Sequence, residues 1–588
     1  MNDMVKDPKY GSDLIVDVLI KHNIEYVAFN PGSTIKGIHD SMLNYHNNIK
    51  PKLILCCHEE IAVAIAHGYA KSSNKCMAVL VHGNVGLMHA SMAIFNAWCD
   101  RVPLLILGGV GPLDANKRRP WIDWLHTSNV QGNIVRDYVK WHDQPYSTEA
   151  VIESLHRALK ITNTHPKAPV YLSIDTTLQD TKLKDTDLSF KYTALSLPPT
   201  SPRINAMELE KIMELLIHAK FPIIIADYLG KTTTAINNLV VLAELLGIGV
   251  IDCGGRFNFP STHPLSLTAV GHEILIDSDL IIALDVQDLY GALGIVDQET
   301  GEYKAHINKE VKIVSVSMND YLISSWAADY QKLYPVDISS LGDTDTFLSE
   351  LYQISKENIT SKMSTLFNER FQRIQELHIM HKNKWLKYVQ ENCKQFNTPT
   401  VIHGIWEVIC KNEFVLTYSG GLEIRAWVKR LWGFDETRSF MGINSGGAGL
   451  GYGLGASIGA ALHYKNSDKL CINLQSDGDM LFTPSALWTA AHYQVPLLII
   501  VMNNRSYAIT KKISDRVAKK RGRSTNQIDI GTTLTNPEVD FVQLAQSFGI
   551  LTFPTITTLE ELIEILPEAI KMVKSKQKPV LIDVVYEN

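Results

Sequence analysis

The most constraining feature of the sequence is a pair of apolar runs that are separated by a helical pattern and that each end in polar residues. The first run begins at Leu470 and ends at Ser476-Asp477-Gly478-Asp479, and the second, residues 495–502, ends at Asn503-Asn504. A strand, a helix and a strand of this length form a βαβ crossover, which makes the two strands parallel. The pattern therefore predicts a parallel α/β sheet in this part of the chain.

The polar residues after the two runs are predicted to meet at one edge of that sheet. Asp477 follows the first run, and Asn504 follows the second 27 positions later. Ligands of open parallel sheets bind beyond the carboxyl ends of the strands, and carboxylate, amide and phosphate oxygens are hard ligands that suit Mg²⁺. The pair therefore predicts a site for Mg²⁺ and a phosphorylated cofactor, where Gly478 lets the chain turn close to a diphosphate. The alternative is a surface turn, because Asp-Gly and Asn-Asn are common turn dipeptides.

Similar patterns along the rest of the chain predict two further α/β units. Short apolar runs at 103–108, 169–175 and 280–284 are typical of buried parallel strands. In the last unit, Thr483 is expected to cap the helix between the two runs, with Pro484 at its first position. We predict an α/β chain of three doubly wound parallel-sheet domains and one helical linker; the domains cover 1–185, 200–345 and 398–588, and the linker covers 346–397.

Composition and charge exclude several classes of protein. The 588 residues are 45% apolar, enough for several cores. A net charge of −6 and a pI near 6.4 give no indication of nucleic-acid binding. The apolar runs are too short to span a bilayer, the N-terminus has no apolar signal region, and the eight cysteines include no Cys-x-x-Cys pair. We therefore expect a cytoplasmic protein with neither a membrane nor a nucleic acid as partner.

The stretch that holds Asp477 and Asn504 resembles the diphosphate-binding motif of thiamine diphosphate-dependent enzymes. That motif is Gly-Asp-Gly, some two dozen residues and then Asn-Asn, and here Ser476 replaces the first glycine. The resemblance implies that Asp477, Asn504 and the backbone carbonyl of Ser506 coordinate Mg²⁺. It also implies that Gly478 and Asp479 lie beside the cofactor.

Further motifs extend this resemblance over most of the chain, towards the acetolactate synthase-like members of the family. In chain order they are Phe29-Asn30-Pro31-Gly32-Ser33, His58-Glu59-Glu60, Gly68-Tyr69-Ala70-Lys71, Val81-His82-Gly83-Asn84-Val85-Gly86, Asn96-Ala97-Trp98, Phe259-Pro260, His263-Pro264-Leu265 and Gly449-Leu450-Gly451-Tyr452-Gly453. The resemblance implies a pyrimidine-binding first domain, a middle domain and a diphosphate-binding last domain.

The resemblance also assigns roles to two residues outside the metal motif. It implies that Glu59 hydrogen-bonds N1′ of the cofactor's aminopyrimidine ring and so promotes loss of the thiazolium C2 proton. It implies that Leu450 props the cofactor into a bent shape, which is an orientation effect. The simpler alternatives are that Glu59 stabilises a helix N-terminus and that Leu450 is an ordinary core leucine.

Other candidate residues concern the substrate and the diphosphate. His82 matches an active-site histidine of the arylglyoxylate decarboxylases in this family, and Ser33 could hydrogen-bond a substrate carboxylate. His82 could instead be a hydrogen-bonded core histidine. Gly420 and Gly421 follow a strand-like run and could supply backbone N–H groups to the diphosphate, or they could simply form a turn.

The function implied is decarboxylation of a 2-oxo acid and transfer of the resulting acyl-anion equivalent to a carbonyl acceptor, as in acetolactate synthase. The alternatives are simple decarboxylation of a 2-oxo acid, lyase or hydrolytic cleavage of a diketone or acyloin, and an inactive cofactor-binding homologue. Retention of Glu59, Asp477 and Asn504 argues against the inactive homologue. The segment 118–124, Arg-Arg-Pro-Trp-Ile-Asp-Trp, also resembles poorly characterised acetolactate synthase-like proteins, which leaves the substrate open.

The resemblance implies a homodimer or homotetramer as well. In the family, the equivalent of Glu59 in one subunit faces a cofactor that the equivalent of Asp477 anchors in another, so that the active sites lie at the subunit interface. Some acetolactate synthase-like relatives bind FAD in the middle domain. This chain has no Gly-x-Gly-x-x-Gly sequence there, so the sequence gives no indication of FAD.

Overall fold

The computed structural model describes residues 7–184, 197–297, 299–324, 332–436, 439–442 and 446–587. Within these ranges the chain forms three parallel sheets flanked by helices, which confirms the predicted α/β class with three doubly wound units. The predicted domain limits stay predictions, and residues 1–6, 185 and 588, which they include, lie outside the described residues. No helix among the described residues is long and apolar enough to cross a membrane.

The first sheet has six strands in the order β2-β1-β3-β4-β6-β5, and all its neighbours are parallel. Its strands are β1 (Tyr26–Phe29), β2 (Lys52–Leu55), β3 (Met77–Val81), β4 (Leu104–Val110), β5 (Trp141–Asp143) and β6 (Val170–Asp175). Its helices are α1 (Gly11–Lys21), α2 (Lys36–Asp40), α3 (Glu59–Ser73), α4 (Gly83–Cys99), α5 (Thr148–Asn163) and α6 (Thr176–Gln179). Strands β3 and β4 are buried along their whole length, as expected of central parallel strands with helices on both faces.

The second sheet has five parallel strands in the order β13-β12-β9-β7-β8, with a separate antiparallel pair, β10 and β11. The strands are β7 (Pro222–Ala226), β8 (Gly249–Asp252), β9 (Leu280–Leu284), β10 (Gly294–Val296), β11 (Tyr303–Ala305), β12 (Lys312–Ser317) and β13 (Ile338–Leu341). The helices are α7 (Ala206–His218), α8 (Thr233–Leu246), α9 (Leu289–Ala292) and α10 (Thr344–Asn358), followed by the long helix α11 (Ser361–Glu391).

The third sheet has five parallel strands in the order β14-β15-β16-β18-β17. The strands are β14 (Phe414–Ser419), β15 (Leu470–Ser476), β16 (Leu498–Asn503), β17 (Leu551–Thr552) and β18 (Val580–Val585). The helices are α12 (Thr398–Ile409), α13 (Leu422–Leu431), α14 (Tyr452–Tyr464), α15 (Asp477–Met480), α16 (Ala486–His492), α17 (Ala508–Lys520), α18 (Phe541–Ser547) and α19 (Leu559–Lys576). As the spacing predicts, β15 and β16 are parallel neighbours.

Two linked predictions about this third unit are wrong. Thr483 does not cap the helix between β15 and β16, and Pro484 is not its first residue, because the helix begins at Ala486 after the N-cap residue Ser485. The Thr483 hydroxyl instead donates to the backbone carbonyl of Gly451, 2.8 Å away. A tertiary hydrogen bond to a residue distant in sequence has therefore replaced the local capping bond.

Helices α3 and α14 pack closely and join the first and third units. A Cβ added at Gly68 of α3 would overlap the carbonyl of Ala456 in α14, and one added at Gly459 would overlap the carbonyl of Ile65 in α3. Only glycine allows backbones to approach this closely. This packing fixes the start of α3, where Glu59 lies, relative to the third sheet.

Candidate functional site

Three residues that were predicted to supply oxygen ligands lie together at the carboxyl edge of the third sheet. Asp477 directly follows β15, and Asn504 directly follows β16. The backbone N–H of Ser506 donates to the Asp477 carboxylate, at 3.2 Å, and to the side-chain oxygen of Asn504, at 3.0 Å. The backbone N–H of Ser506 thus holds the Asp477 carboxylate and the Asn504 side-chain oxygen close together. Ser506 is also the residue whose carbonyl was the third predicted ligand.

The donor set fits Mg²⁺. The three residues offer a carboxylate, an amide oxygen and a backbone carbonyl, which are hard ligands. The side chain of Asp477 is buried, and burial raises the pKa of its carboxyl to about 6. A bound divalent cation would offset that cost and keep the carboxylate ionised. Mg²⁺ commonly takes few protein groups and completes its octahedron with water and phosphate oxygens.

Two glycines on this edge leave room for a close ligand or chain. A Cβ at Gly478 would lie 2.5 Å from the ring of Tyr507, and one at Gly420 would lie 2.8 Å from the backbone nitrogen of Ser476. Gly421 has a φ of +79°, which L side chains rarely adopt, and it precedes α13 as its N-cap residue. Gly420 and Gly421 therefore lie beside the strand end that carries Asp477, where backbone N–H groups could meet a diphosphate.

Asp479 connects the end of β15 to the loop that carries Leu450. The Asp479 carboxylate accepts hydrogen bonds from the backbone of Gly451, at 2.6 Å, and from the side chain of Gln475, at 2.7 Å. It therefore fixes the loop that carries Leu450. The Leu450 side chain is 40% exposed, so Leu450 is not an ordinary core leucine. An exposed bulky apolar side chain on a fixed loop suits the propping role that the resemblance implies.

Glu59 is a buried carboxylate at the carboxyl edge of the first sheet. It is the first residue of α3, and His58 caps that helix by accepting from the backbone of Glu60. The Glu59 carboxylate accepts from the side chain of Asn30 at 3.4 Å and contacts Nδ1 of His89 at 3.1 Å. A carboxylate that only stabilised the helix N-terminus could remain exposed to solvent, whereas Glu59 is buried.

His82 follows β3 directly and is held in one tautomer. The backbone N–H of Thr34 points to the His82 Nδ1 at 3.4 Å, and the Thr34 hydroxyl lies 2.9 Å from the same nitrogen. Nδ1 therefore acts as an acceptor, which assigns the proton of the neutral ring to Nε2. Burial, with His126 and Arg119 nearby, lowers the pKa of His82, so the neutral form prevails at pH 7. The Glu59 carboxyl partly offsets this lowering of the His82 pKa.

Ser33 is hydrogen-bonded by a residue that the sequence alone did not single out as functional. Nη2 of Arg119 donates to the Ser33 hydroxyl at 2.9 Å. The same guanidinium pairs with the buried carboxylate of Asp123, through Nη2 at 2.7 Å and through Nε at 3.1 Å. Arg119 and Asp123 belong to the loop after β4, so the first sheet brings together residues that follow β1, β2, β3 and β4.

The sequence predicted Glu59, His82 and Ser33, but it did not predict the residues that hydrogen-bond them. Asn30, Thr34 and His89 contact Glu59 or His82. Asn30 lies within a recognised motif but was given no role, and Thr34 and His89 lie just outside one. Arg119 and Asp123 had a local signal, because opposite charges four residues apart pair readily. Nothing local connects Arg119 with Ser33, since 86 positions separate them.

Residues of all three units line a cavity of about 80 Å³ beside the carboxyl ends of the second sheet, among them the cationic side chains of Lys71, Arg101, Lys231 and Arg256. The guanidinium groups of Arg101 and Arg256 lie over the ring of Tyr228, 4.5 and 5.1 Å from its centre. Lys231 forms ion pairs there with Asp285 and Asp343. This is the edge at which an open parallel sheet binds ligands, and whether FAD binds here stays an open prediction.

Three family models match separate parts of the chain, and a known protein matches nearly its whole length. The models of the thiamine pyrophosphate enzyme domains match at residues 9–133 for the N-terminal TPP binding domain, 209–351 for the central domain and 423–584 for the C-terminal TPP binding domain. The acetolactate synthase large subunit of Haemophilus influenzae is 26% identical, over 98% of this chain and 94% of that protein.

Two solved structures show the same fold. The benzoylformate decarboxylase of Polynucleobacter necessarius has a TM-score of 0.75 at 19% identity, over 99% of both chains. The thiamine diphosphate-dependent 4-hydroxybenzoylformate decarboxylase of Rhodococcus jostii RHA1 has a TM-score of 0.73 at 19% identity, over 98% of this chain and 99% of that one. At such identities the likeness is one of fold.

Proposed function

The chain belongs to the thiamine pyrophosphate-dependent enzymes and is acetolactate synthase-like, and on that premise we propose that it is a Mg²⁺-dependent enzyme acting on 2-oxo acids. In this proposal it decarboxylates a 2-oxo acid and transfers the resulting acyl-anion equivalent to a carbonyl acceptor. The observation that carries the proposal is the meeting of Asp477, Asn504 and Ser506 at the ends of two neighbouring parallel strands.

The residues at the carboxyl edges of the first and third sheets would have different roles. Thiamine diphosphate supplies, when bound, a nucleophilic carbon that adds to a substrate carbonyl. Asp477, Asn504 and Ser506 would hold Mg²⁺ against the diphosphate, and Leu450 would set the bend of the cofactor. Glu59 would hold the proton at N1′ of the pyrimidine ring.

His82 would act on the substrate as a neutral donor. Because Nδ1 accepts from Thr34, Nε2–H is the group left to face a ligand. It can stabilise negative charge that develops on the substrate oxygen, or give up its proton to it. Its lowered pKa makes this the resting form at neutral pH.

Binding of the cofactor tests the metal site. Isothermal titration of the protein with thiamine diphosphate should show saturable binding that depends on Mg²⁺, and Asp477→Ala should abolish that dependence because it removes the anionic ligand. Asp529→Ala is the matched control, since Asp529 is an exposed aspartate of the same unit that forms an ion pair with Lys511. Mg²⁺-dependent binding that survives in Asp477→Ala would overturn the metal assignment.

Simple decarboxylation is the second candidate function. It is favoured by the position of His82 on the same sheet edge as Glu59 and by the likeness in fold to two decarboxylases of aromatic 2-oxo acids. Product analysis across a panel of 2-oxo acids, with and without an added carbonyl acceptor, separates the two. The carboligase yields a 2-hydroxy ketone or 2-hydroxy-2-acyl acid, whereas the simple decarboxylase releases an aldehyde.

A further inference from the structure

The loop after β4 places an arginine over the substrate side of the site. The Nη2 of Arg119 contacts the Ser33 hydroxyl, and the charge of Arg119 is felt at His82. The next residue after Ser33 is Thr34, which bonds His82. Arg119 therefore lies on the same sheet edge as Glu59 and His82, although it comes from a different strand end.

The guanidinium of Arg119 is held in place before any ligand arrives. Its Nε donates to both oxygens of Asp123, at 3.1 and 3.2 Å, and its own backbone N–H donates to the same carboxylate at 2.7 Å. Asp123 is only 2% exposed, whereas the Arg119 side chain is 55% exposed. A fixed, outward-facing guanidinium loses little conformational freedom when it binds an anion.

Donor groups remain available around this guanidinium. Within the described residues, Nη1 of Arg119 has no hydrogen-bond partner. Because the Ser33 oxygen accepts from Nη2, its own hydroxyl proton is left to donate to a ligand. Nε2–H of His82 is a third donor nearby. Nε and Nη2 are already bonded to Asp123 and Ser33, so a carboxylate would bind with one oxygen on Nη1 and the other on the Ser33 hydroxyl or on Nε2–H of His82.

We propose that Arg119, with Ser33, binds the carboxylate of the substrate, so that the substrate is a 2-oxo acid and not a neutral diketone or acyloin. This inference rests on the proposed function, which already takes a 2-oxo acid as substrate, and it assigns the residue that recognises the acid group. It makes Arg119 a specificity-determining residue, since the bond to be broken in a 2-oxo acid joins the anchored carboxylate to the carbonyl carbon.

Arg118 provides a matched control on the same loop. Its guanidinium donates to the backbone carbonyls of Pro112, at 2.7 Å, and Leu113, at 3.0 Å, so it holds the loop and does not reach Ser33. Arg118→Gln removes the same charge one position away. A loss that comes only from a disturbed loop should therefore occur in both variants.

The test compares an acid with the aldehyde that lacks its carboxylate. With the enzyme loaded with thiamine diphosphate and Mg²⁺, steady-state rates are measured for phenylglyoxylate and pyruvate, and for acyloin formation from benzaldehyde and acetaldehyde. Arg119→Gln should lower kcat/KM for the acids about 10- to 100-fold, mainly through KM, and leave the aldehydes within about twofold. Ser33→Ala should act in the same direction with a smaller loss, and Arg119→Lys should restore part of the activity.

A double variant shows whether a loss of activity comes from misfolding. Arg119→Gln leaves Asp123 buried without its partner, so Arg119→Gln/Asp123→Asn removes both charges and should show the same loss of preference for acids. An equal loss for acids and aldehydes would overturn the inference, and so would an acid-selective loss in Arg118→Gln. A wild-type enzyme that cleaves diketones and turns over no 2-oxo acid would overturn it too. Exchange of the cofactor C2 proton, measured in the same samples, reports separately on the proposed function.

Discussion

The carboxylate of Glu59 lies buried at a helix start. Its hydrogen-bond contacts among the described residues are the amide of Asn30 and the ring of His89. A carboxyl group in such a place can share a proton with a ring nitrogen of a ligand. The proposed role therefore depends on the acid itself, and a glutamine of the same shape does not replace it.

We predict that Glu59→Gln slows exchange of the bound cofactor's C2 proton at least about 100-fold, which is the scale of acid–base catalysis. The measurement is proton–deuterium exchange followed by NMR after acid quench. Glu60→Gln is the control, because Glu60 is the adjacent acid and its carboxyl lies near Asp479. Exchange that is unchanged in Glu59→Gln, or equally slow in Glu60→Gln, contradicts the assignment.

A second buried carboxylate, Asp100, holds together the first and second units. Its oxygens pair with Arg256 at 2.6 Å, with Lys71 at 2.7 Å and with His67 at 2.6 Å. Burial alone would raise the pKa of Asp100, but Arg256 and Lys71 more than reverse this and hold the pKa well below its usual range. Removal of the charge would leave buried cations without their counter-charge.

Asp100→Asn should therefore destabilise the protein by about 3–5 kcal/mol at pH 7. Because the folded-state pKa is lowered, the stabilisation is fully present above the unfolded pKa of about 4 and is lost as the pH falls below it. Urea midpoints measured between pH 7 and pH 3 should fall steeply for the wild type and less steeply for Asp100→Asn. Parallel pH profiles for the two proteins would refute this reading.

At the scale of elements, the crossing of α3 and α14 positions the start of α3. Gly68→Ala should destabilise the protein by about 1–3 kcal/mol, although alanine favours a helix, because its Cβ would overlap the backbone carbonyl of Ala456. It should also weaken cofactor binding, since Glu59 moves with α3. Thermal midpoint and titration calorimetry measure the two effects.

The control for Gly68→Ala is a helical glycine whose nearest neighbour is a flexible side chain. A Cβ at Gly404 of α12 would lie 2.7 Å from the end of the Leu559 side chain, which can turn aside. Gly404→Ala should therefore leave the thermal midpoint unchanged or raise it, by the higher helix propensity of alanine. A similar loss in both variants would show that close backbone approach is not the reason.

The elements that the sequence predicted best are those whose signals are local. The apolar runs before Asp477 and Asn504 are long, and each ends in polar residues, so both strand ends could be placed. The helix start at Thr483 was wrong because the hydroxyl bonds Gly451 instead. The contact between Arg119 and Ser33 could not be predicted, since it depends on the order of strands in the first sheet.

At the scale of the whole molecule, apolar side chains are exposed around the loop that carries Leu450. Met92, Leu450 and Phe482 are 37%, 40% and 54% exposed. Gly449 packs against Met92 and Gly451 packs against Phe482, which makes these side chains neighbours of the Leu450 loop. A surface of this kind beside a proposed site is typical of an interface, and it supports the proposal that two copies of the chain share each active site.

Mixing of two inactive variants tests that proposal. In a dimer whose sites each take Glu59 from one subunit and Asp477 from the other, a hybrid of Glu59→Gln and Asp477→Ala subunits contains one site with both residues intact. After dissociation and random reassociation at equal amounts, activity should rise from background to about a quarter of the wild-type value, because half of the dimers are hybrids with one of two sites active. Each variant reassociated with itself is the control and should stay inactive. If both residues came from the same chain, every site in the mixture would lack one of them, and no activity would return.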